Sequence, residues 1–402
     1  MILRDYQKQG AADGAALLFN YKIAYYCWEV RSGKTLTSLR CAELYGAKKL
    51  LFVTKKKAIG SINNDYDLLQ PSFDLCVTNY EALHLLADFN FDLIIIDEAH
   101  TTSAFPKPSV RTLQLKKLCE GKPIIYLSGT PTPESYSQWF HQLWISSYSP
   151  FLETNFYKWF KIYGIPKKKY LYNREIFDYS NTIDFNEKIN HLILTKTQIE
   201  AGFESAINEH ILSIKPPSVV DWAISKLKKD KIITTQEGKV ILADTAVKEM
   251  MKVHQITSGT IKCEDGSTII ISDYKAQFIK ERFKGKKIAI FYKYIAEAEM
   301  LGRVFDVTQS IEEFNETNKV FISQIQSGRE GINLSQSDAL IFFNIDFSAV
   351  SYWQGRARLQ SKERKKTDVY FIFAGIEHRI YEMVSKKKDY TLKHYMNKKL
   401  TF

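Results

Sequence analysis

Two short stretches of the chain hold residue types suited to phosphate chemistry. Ser32-Gly33-Lys34-Thr35 is a small-residue turn closed by a lysine and a hydroxyl, and Asp97-Glu98-Ala99-His100 follows the aliphatic run Leu93-Ile94-Ile95-Ile96. Backbone N–H groups of a glycine turn opening a helix cradle phosphates, helped by the helix dipole. In such a turn Lys34 would reach the β- and γ-phosphates and the Thr35 hydroxyl would ligate Mg2+. An aspartate at a strand end can hold the same hard cation through one carboxylate, so Asp97 is the second metal candidate. Glu98, beside it, can orient and deprotonate an attacking water. Either stretch alone has a bland reading, as a chance Gly-Lys-Thr or as an acidic helix cap. Paired in this order they predict ATP hydrolysis with Mg2+ rather than passive binding. The phosphate loop departs from Gly-x-x-x-x-Gly-Lys-[Ser/Thr] in one place, because Trp28 stands where the first glycine belongs.

Such groups need a rigid scaffold, and the hydrophobic pattern supplies one. Short aliphatic runs alternate with helical patterns over the first 140 or so residues, the signature of a parallel sheet covered by helices. Strands are expected at 23–28, 50–54, 75–78, 93–97 and 124–128, with a helix over 35–45. Near-continuous aliphatic strands suit a sheet buried on both faces, whose carboxyl ends carry the function. Lys34, Asp97 and Ser128 fall at those ends. Residues 134–217 are aromatic-rich and lysine-dotted and read as helices and a linker, with the aromatics filling cores. Residues 219–262 read as helical apart from a small strand turn at 232–240. Alternation resumes with strands at 288–291, 320–324, 340–344 and 369–373. The expected fold class is α/β, two lobes, each a mostly parallel sheet flanked by helices, with a helical insert between them. The expected boundaries are 1–215 and 216–402.

A chain of 402 residues suits two domains, and 45% hydrophobic with 25% charged residues is a globular composition. The formal charge of +11 favours a polyanionic partner, although many lysine-rich surfaces only maintain solubility. Cys27, Cys41, Cys76, Cys119 and Cys263 form no Cys-x-x-Cys pair, which argues against a zinc knuckle and fits a reducing cytoplasm. The sequence begins without the apolar stretch of a signal peptide, and no run approaches the ~20 apolar residues of a membrane helix. A soluble cytoplasmic protein with no membrane partner is expected.

The order of further segments resembles superfamily-two helicases, specifically Swi/Snf-type double-stranded DNA translocases. Leu3-Arg4-Asp5-Tyr6-Gln7 is similar to that family's adenine-reading segment, which implies Gln7 and Arg4 at the nucleotide. Glu29 to Thr35 resembles its first motif, and Val77 to Leu83 its Tyr-Glu segment, which implies DNA contacts at Asn79 and Tyr80. Leu127-Ser128-Gly129-Thr130-Pro131 resembles motif three. His254 to Gly259, Lys287 to Met300, Ser327 to Leu334 and Phe342 to Arg358 resemble the later segments in order. The likeness runs from about residue 3 to 385 and implies that the two lobes are RecA-like. Motif six departs from the family, because Gln354-Gly355-Arg356-Ala357-Arg358 spaces its arginines by two rather than three. The resemblance implies that one of them stabilises charge on the transferred phosphoryl group. Arg358 is slightly favoured and Arg356 is the alternative.

Lysine clusters at 55–57, 167–169, 386–388 and 398–399 could meet phosphates, and Lys55 and Lys56 are preferred because they follow a strand end. The two carboxyl-terminal runs read more simply as a solvated tail. His100 reads as a bridge between motifs. The resemblance implies a minimal ATP-dependent motor, of phage or compact bacterial kind, acting on duplex or branched DNA. Both halves of its site lie in one chain, so a monomer is expected, with protein partners open. A strand-separating DNA or RNA helicase and a non-catalytic, ATP-clamped nucleic-acid-binding module are the other readings.

Overall fold

The computed structural model describes residues 3–86, 90–171, 174–202, 206–328, 332, 334–359 and 366–386. The chain divides into two compact units, 1–203 and 204–402.

Unit 1 is built on a six-stranded sheet. Its strands are β1 (Ile23–Trp28), β2 (Lys49–Thr54), β3 (Asp74–Asn79), β4 (Leu93–Asp97), β5 (Ile124–Leu127) and, after a hairpin of β6 (Lys167–Leu171) and β7 (Arg174–Asp178), β8 (Ile193–Lys196). The order is β3-β2-β4-β5-β1-β8, with every pairing parallel. One strand, β5, therefore separates the strand that feeds Ser-Gly-Lys-Thr from the strand that ends in Asp97, a RecA-like arrangement. Leu127 of β5 lies level with Asp97 on one side and Tyr26 on the other. Both motifs consequently leave the sheet from the same edge. Ile94, Ile95 and Ile96 have no exposed surface. Each such side chain contributes about 1.5–3 kcal/mol by burial, which fixes β4 in register.

Helix α1 (Asp5–Tyr21) turns the small residues Gly10, Ala11, Gly14 and Ala15 inward, and α2 (Lys34–Tyr45) opens directly from the phosphate loop. A Cβ at Gly10 would lie 2.5 Å from the Trp28 indole, and one at Gly14 would lie 1.9 Å from the Tyr26 hydroxyl. Only glycine lets α1 cross β1 this closely.

The region expected to be helices and linker does hold helices, at Gln138–Trp144 and Phe156–Tyr163, and its aromatics Trp139, Phe140, Phe156, Trp159 and Phe160 are core residues. It also holds strands that sequence reading missed. β6 and β7 form an isolated antiparallel hairpin, and β8 adds to the edge of the main sheet beside β1.

Unit 2 begins with β9 (Ala206–Ser213), which pairs along its whole length with the last described strand. The division thus falls ahead of the expected boundary at residue 215, because β9 belongs to the second sheet. Two small hairpins follow, β10 (Ile232–Thr234) with β11 (Val240–Leu242) and β12 (Thr260–Lys262) with β13 (Thr268–Ile270). Helices Ser218–Asp230 and Ala246–Thr257 join them around a separate small core. The main sheet contains β14 (Ile288–Tyr292), β15 (Val307–Thr308), β16 (Val320–Gln324), β17 (Ala339–Phe342) and β18 (Lys366–Phe373). It runs β15-β16-β14-β17-β18-β9 and is again wholly parallel. All five cysteines are free thiols. No helix among the described residues is long and apolar enough to cross a membrane.

Candidate nucleotide site

The phosphate loop of unit 1 runs from the end of β1 into α2. Gly33 caps that helix at φ 84°, where a Cβ would also meet the Gln7 amide nitrogen at 2.4 Å. The Lys34 ammonium donates to the carbonyls of Trp28 at 2.9 Å and Glu29 at 3.0 Å. Trp28 therefore faces the lysine with its carbonyl. Its indole is buried under α1 against Gly10 and Tyr26 and replaces the expected glycine without occupying the loop. Ser32 is buried and turns its hydroxyl onto the Glu29 carbonyl at 2.7 Å. Thr35 stands half-buried in the first turn of α2.

The opening segment packs against this loop. Tyr6 donates its hydroxyl to the Ser32 carbonyl at 2.9 Å, a tie that sequence reading missed. Gln7 is buried, accepts from the Arg4 backbone N–H at 3.0 Å and points its amide nitrogen at the Gly33 carbonyl, 3.5 Å away. The Arg4 side chain is exposed.

The acidic pair sits at the end of β4. Asp97 accepts from the Thr54 hydroxyl at 2.8 Å. Burial raises its carboxyl to about 6, the neighbouring Glu98 adds to the rise, and Thr54 and the Lys34 ammonium pull the other way. The influence of Lys34 places the lysine within electrostatic reach of Asp97. His100 joins two segments, with Nδ1 lying 3.3 Å from a carboxylate oxygen of Glu98 in its own segment and 3.1 Å from the Ser128 hydroxyl. Gly129, next to Ser128, lies close under the phosphate loop, since a Cβ there would be 3.4 Å from the Trp28 carbonyl. The expected bridging role of His100 matches this geometry.

Backbone strain marks the same two places. Five described non-glycine residues have positive φ, and Lys22, Gln70 and Lys231 are helix C-caps, where that conformation is ordinary. The other two are Arg31 at 64° and Glu98 at 51°, one in each candidate motif. Such conformations cost on the order of 1–3 kcal/mol each and persist only where their surroundings enforce them.

The donor set fits a hard divalent cation. Asp97 and Thr35 offer oxygen only, and Mg2+ bound to a nucleotide takes one or two protein oxygens with phosphates and water. Among the described residues no cluster of three His, Cys, Asp or Glu suggests an all-protein cage.

The nucleic-acid candidates divide. Lys55 is half-buried and Lys56 is exposed beyond the end of β2. Asn79 caps the next turn, accepting from the N–H of Glu81 at 3.0 Å and of Ala82 at 3.1 Å. Tyr80 is 2% exposed and donates its hydroxyl to the Asp97 carbonyl, so its ring is a core element and offers no face to a polymer. Lys167 and Lys168 are exposed on β6. Lys387, Lys388, Lys398 and Lys399 lie outside the described residues, as do Arg329, Glu330, Gly331 and Asn333.

In unit 2 the two arginines occupy different surroundings. Arg356 pairs with Glu209, which also accepts from the hydroxyls of Tyr352 at 2.7 Å and Tyr381 at 2.6 Å. Its guanidinium centre lies 3.9 Å from the Trp353 ring centroid. Arg358 sits half-buried in the turn Ala357–Leu359, and its carbonyl accepts from Leu334 N–H at 3.2 Å.

No protein-family model matches the chain, and no curated protein matches it. Among solved structures it is similar to a Sulfolobus solfataricus SWI2/SNF2 ATPase core in complex with dsDNA. The two share 15% identity with a TM-score of 0.45, over 96% of this chain and 91% of that one. The Sulfolobus solfataricus SWI2/SNF2 ATPase core domain gives 13% identity and a TM-score of 0.42, over 96% and 89%.

Proposed function

We propose that this chain is a DNA-dependent ATPase of the Swi/Snf type that couples ATP hydrolysis to movement along, or remodelling of, duplex or branched DNA. The observation that carries the reading is the convergence in unit 1. A lysine-bearing phosphate loop and an Asp-Glu pair leave one sheet edge, separated by one strand, and each contains a strained non-glycine residue. The ordered motif series and the charge of +11 support nucleic acid as the polymer.

The roles follow from chemistry. Backbone N–H groups of the loop and the Lys34 ammonium bind the β- and γ-phosphates, exchanging the carbonyls of Trp28 and Glu29 for phosphate oxygens. Thr35 and Asp97 would hold Mg2+, which neutralises phosphate charge when bound. Glu98 orients the water that attacks the γ-phosphorus, accepts its proton and is itself steadied by His100. The bond to the ADP oxygen breaks as the bond to water forms, leaving ADP and phosphate. Gln7 and Arg4 flank the nucleotide through α1. Arg358 is assigned the charge-stabilising role, with Arg356, which pairs with Glu209, as the alternative.

ATP hydrolysis measured with duplex DNA, single-stranded DNA, RNA and no polymer tests the proposal. Stimulation by duplex and loss of activity in Lys34→Ala are expected. Equal rates with and without every polymer, or an active Lys34→Ala protein, would refute it. Unwinding of forked duplexes would instead favour a strand-separating helicase.

A further inference from the structure

The ends of β2, β3 and β4 form a row across the sheet. Thr54 is level with Asn79, and Val53 is level with Ile96, one residue before Asp97. Two hydroxyls from this row converge on Asp97. Thr54 holds its carboxylate, and Tyr80 holds its backbone carbonyl. Each lies one residue from a nucleic-acid candidate, Thr54 before Lys55 and Tyr80 after Asn79.

The carbonyl held by Tyr80 belongs to the peptide that joins Asp97 to Glu98. That peptide sets how Glu98 enters its left-handed conformation, at φ 51°. A bulky carboxylate residue does not hold this conformation on its own account, so a partner must fix the peptide. Tyr80 is well placed to do so. Its ring is buried, with the Arg111 guanidinium centre 5.1 Å from its centroid, and Arg111 pairs at 2.9 Å with Glu81 of the same segment. The segment 79–81 is thus clamped from both sides and linked through one hydroxyl to the candidate general base.

We propose that Tyr80 is a positioning residue that links polymer binding at the β2 and β3 ends to the orientation of Glu98. A polyanion engaging Lys55, Lys56 and Asn79 displaces the strand ends, and Tyr80 passes that displacement to the Asp97–Glu98 peptide. Tyr80 touches neither polymer nor nucleotide. The inference rests on the ATPase reading above.

Tyr80→Phe keeps the buried ring and removes only the hydroxyl. The full chain and this variant are compared in ATPase rate with and without saturating duplex DNA. Duplex affinity is measured by fluorescence anisotropy without nucleotide, and thermal midpoints are recorded alongside. The expected result is a fall of about fivefold or more in the ratio of stimulated to unstimulated rate, with duplex Kd within about twofold of the parent. A structural role alone would lower both rates together and leave the ratio intact, which overturns the proposal. A Kd that weakens by the same factor as the ratio also overturns it, because Tyr80 would then act through binding. A parent chain that no polymer stimulates removes the ATPase reading and this inference with it, and that result is read before any variant is made. Should Tyr80→Phe unfold, Arg111→Ala, which loosens the ring's cover, is expected to lower the same ratio, and an unchanged ratio there counts against the proposal.

Discussion

The two units share a parallel six-stranded plan but use charge at their strand ends in different ways. In unit 1 the Lys34 ammonium is held by loop carbonyls, Asp97 by a threonine hydroxyl and Glu98 by a histidine. Carbonyl and hydroxyl partners of this kind can be exchanged for a phosphate or a metal. In unit 2 the corresponding edge is laced with ion pairs. Lys275 and Glu377, both with no exposed surface, meet at 2.5 Å, and the lysine also donates to the carbonyls of Phe343 and Ile372. Lys293 meets Asp346 at 2.6 Å, and Arg356 meets Glu209. Buried pairs of this kind add little net stability compared with apolar packing, but losing one partner is costly. Unit 1 holds these charges where they can be exchanged for chemistry, whereas unit 2 commits these three pairs to architecture.

The sharpest way to break that contrast is to remove one lysine from each unit. Lys34→Ala should lower the DNA-stimulated rate by on the order of 10³-fold or more while the denaturation midpoint barely moves. Lys275→Met should do the reverse, leaving Glu377 buried without its partner at a cost of about 3–5 kcal/mol. Urea unfolding of the full chain reads this loss. The double variant Lys275→Met/Glu377→Leu should recover most of it. A single Lys275→Met of parental stability would remove the architectural reading of unit 2.

The arginines carry the same contrast within one motif. Arg356→Ala should cost about 2 kcal/mol of stability, since Glu209 and the faces of Tyr352 and Trp353 lose their partner. Arg358→Ala should lower kcat by on the order of 10³-fold, measured as DNA-stimulated ATP hydrolysis. Reversed outcomes, with Arg356 controlling kcat, would hand the phosphoryl role back to Arg356 and show that its pairing with Glu209 is broken during turnover.

Much of this was legible in the sequence, for a physical reason. Strands buried on both faces must be apolar, so β1, β2, β4, β5, β14 and β17 announce themselves, and the chemistry lies where they end. Edge strands carry no such constraint. β8 is four residues of intermediate or higher exposure, and β9 carries the polar run Asn208-Glu209-His210 in its middle, so both read as connection. The hairpin strand β6 opens with three lysines and resembles a surface charge run. Within the site, residue types were legible but their partners were not. Trp28 reads as a broken motif until Gly10 is seen beneath its ring. Tyr80 reads as a polymer contact until its hydroxyl meets Asp97, 17 residues on. Arg356 reads as the alternative to Arg358, and its pairing with Glu209, 147 residues away, is invisible in the spacing.

The smallest expected effect concerns acid. In unit 1 His141 is 2% exposed, contacts the Ala104 carbonyl through Nδ1 at 2.6 Å, and is lowered by burial to about 4. Unfolded, it binds a proton near its ordinary value of about 6.5, so the unfolded state gains protons first as pH falls. Its stabilising contribution is present above about 6.5 and is lost progressively toward 4. By pH 5.5 the loss should be about 1 kcal/mol relative to His141→Gln, which does not titrate. In unit 2 two groups oppose each other. Burial lowers His254 well below its usual range and gives the same sign as His141. Burial raises Glu377 to about 7, against the pull of Lys275, so its contribution is present in acid and fades as pH rises through 7. Each unit therefore offsets part of its own acid sensitivity, unit 2 through Glu377 and unit 1 through Asp97 and Asp65, whose carboxyls burial raises to about 6. Urea midpoints of the parent and His141→Gln chains between pH 7.5 and 5.5 measure the difference. Curves that converge toward acid support this account, and parallel curves would mean that His141 is protonated without cost in the folded chain.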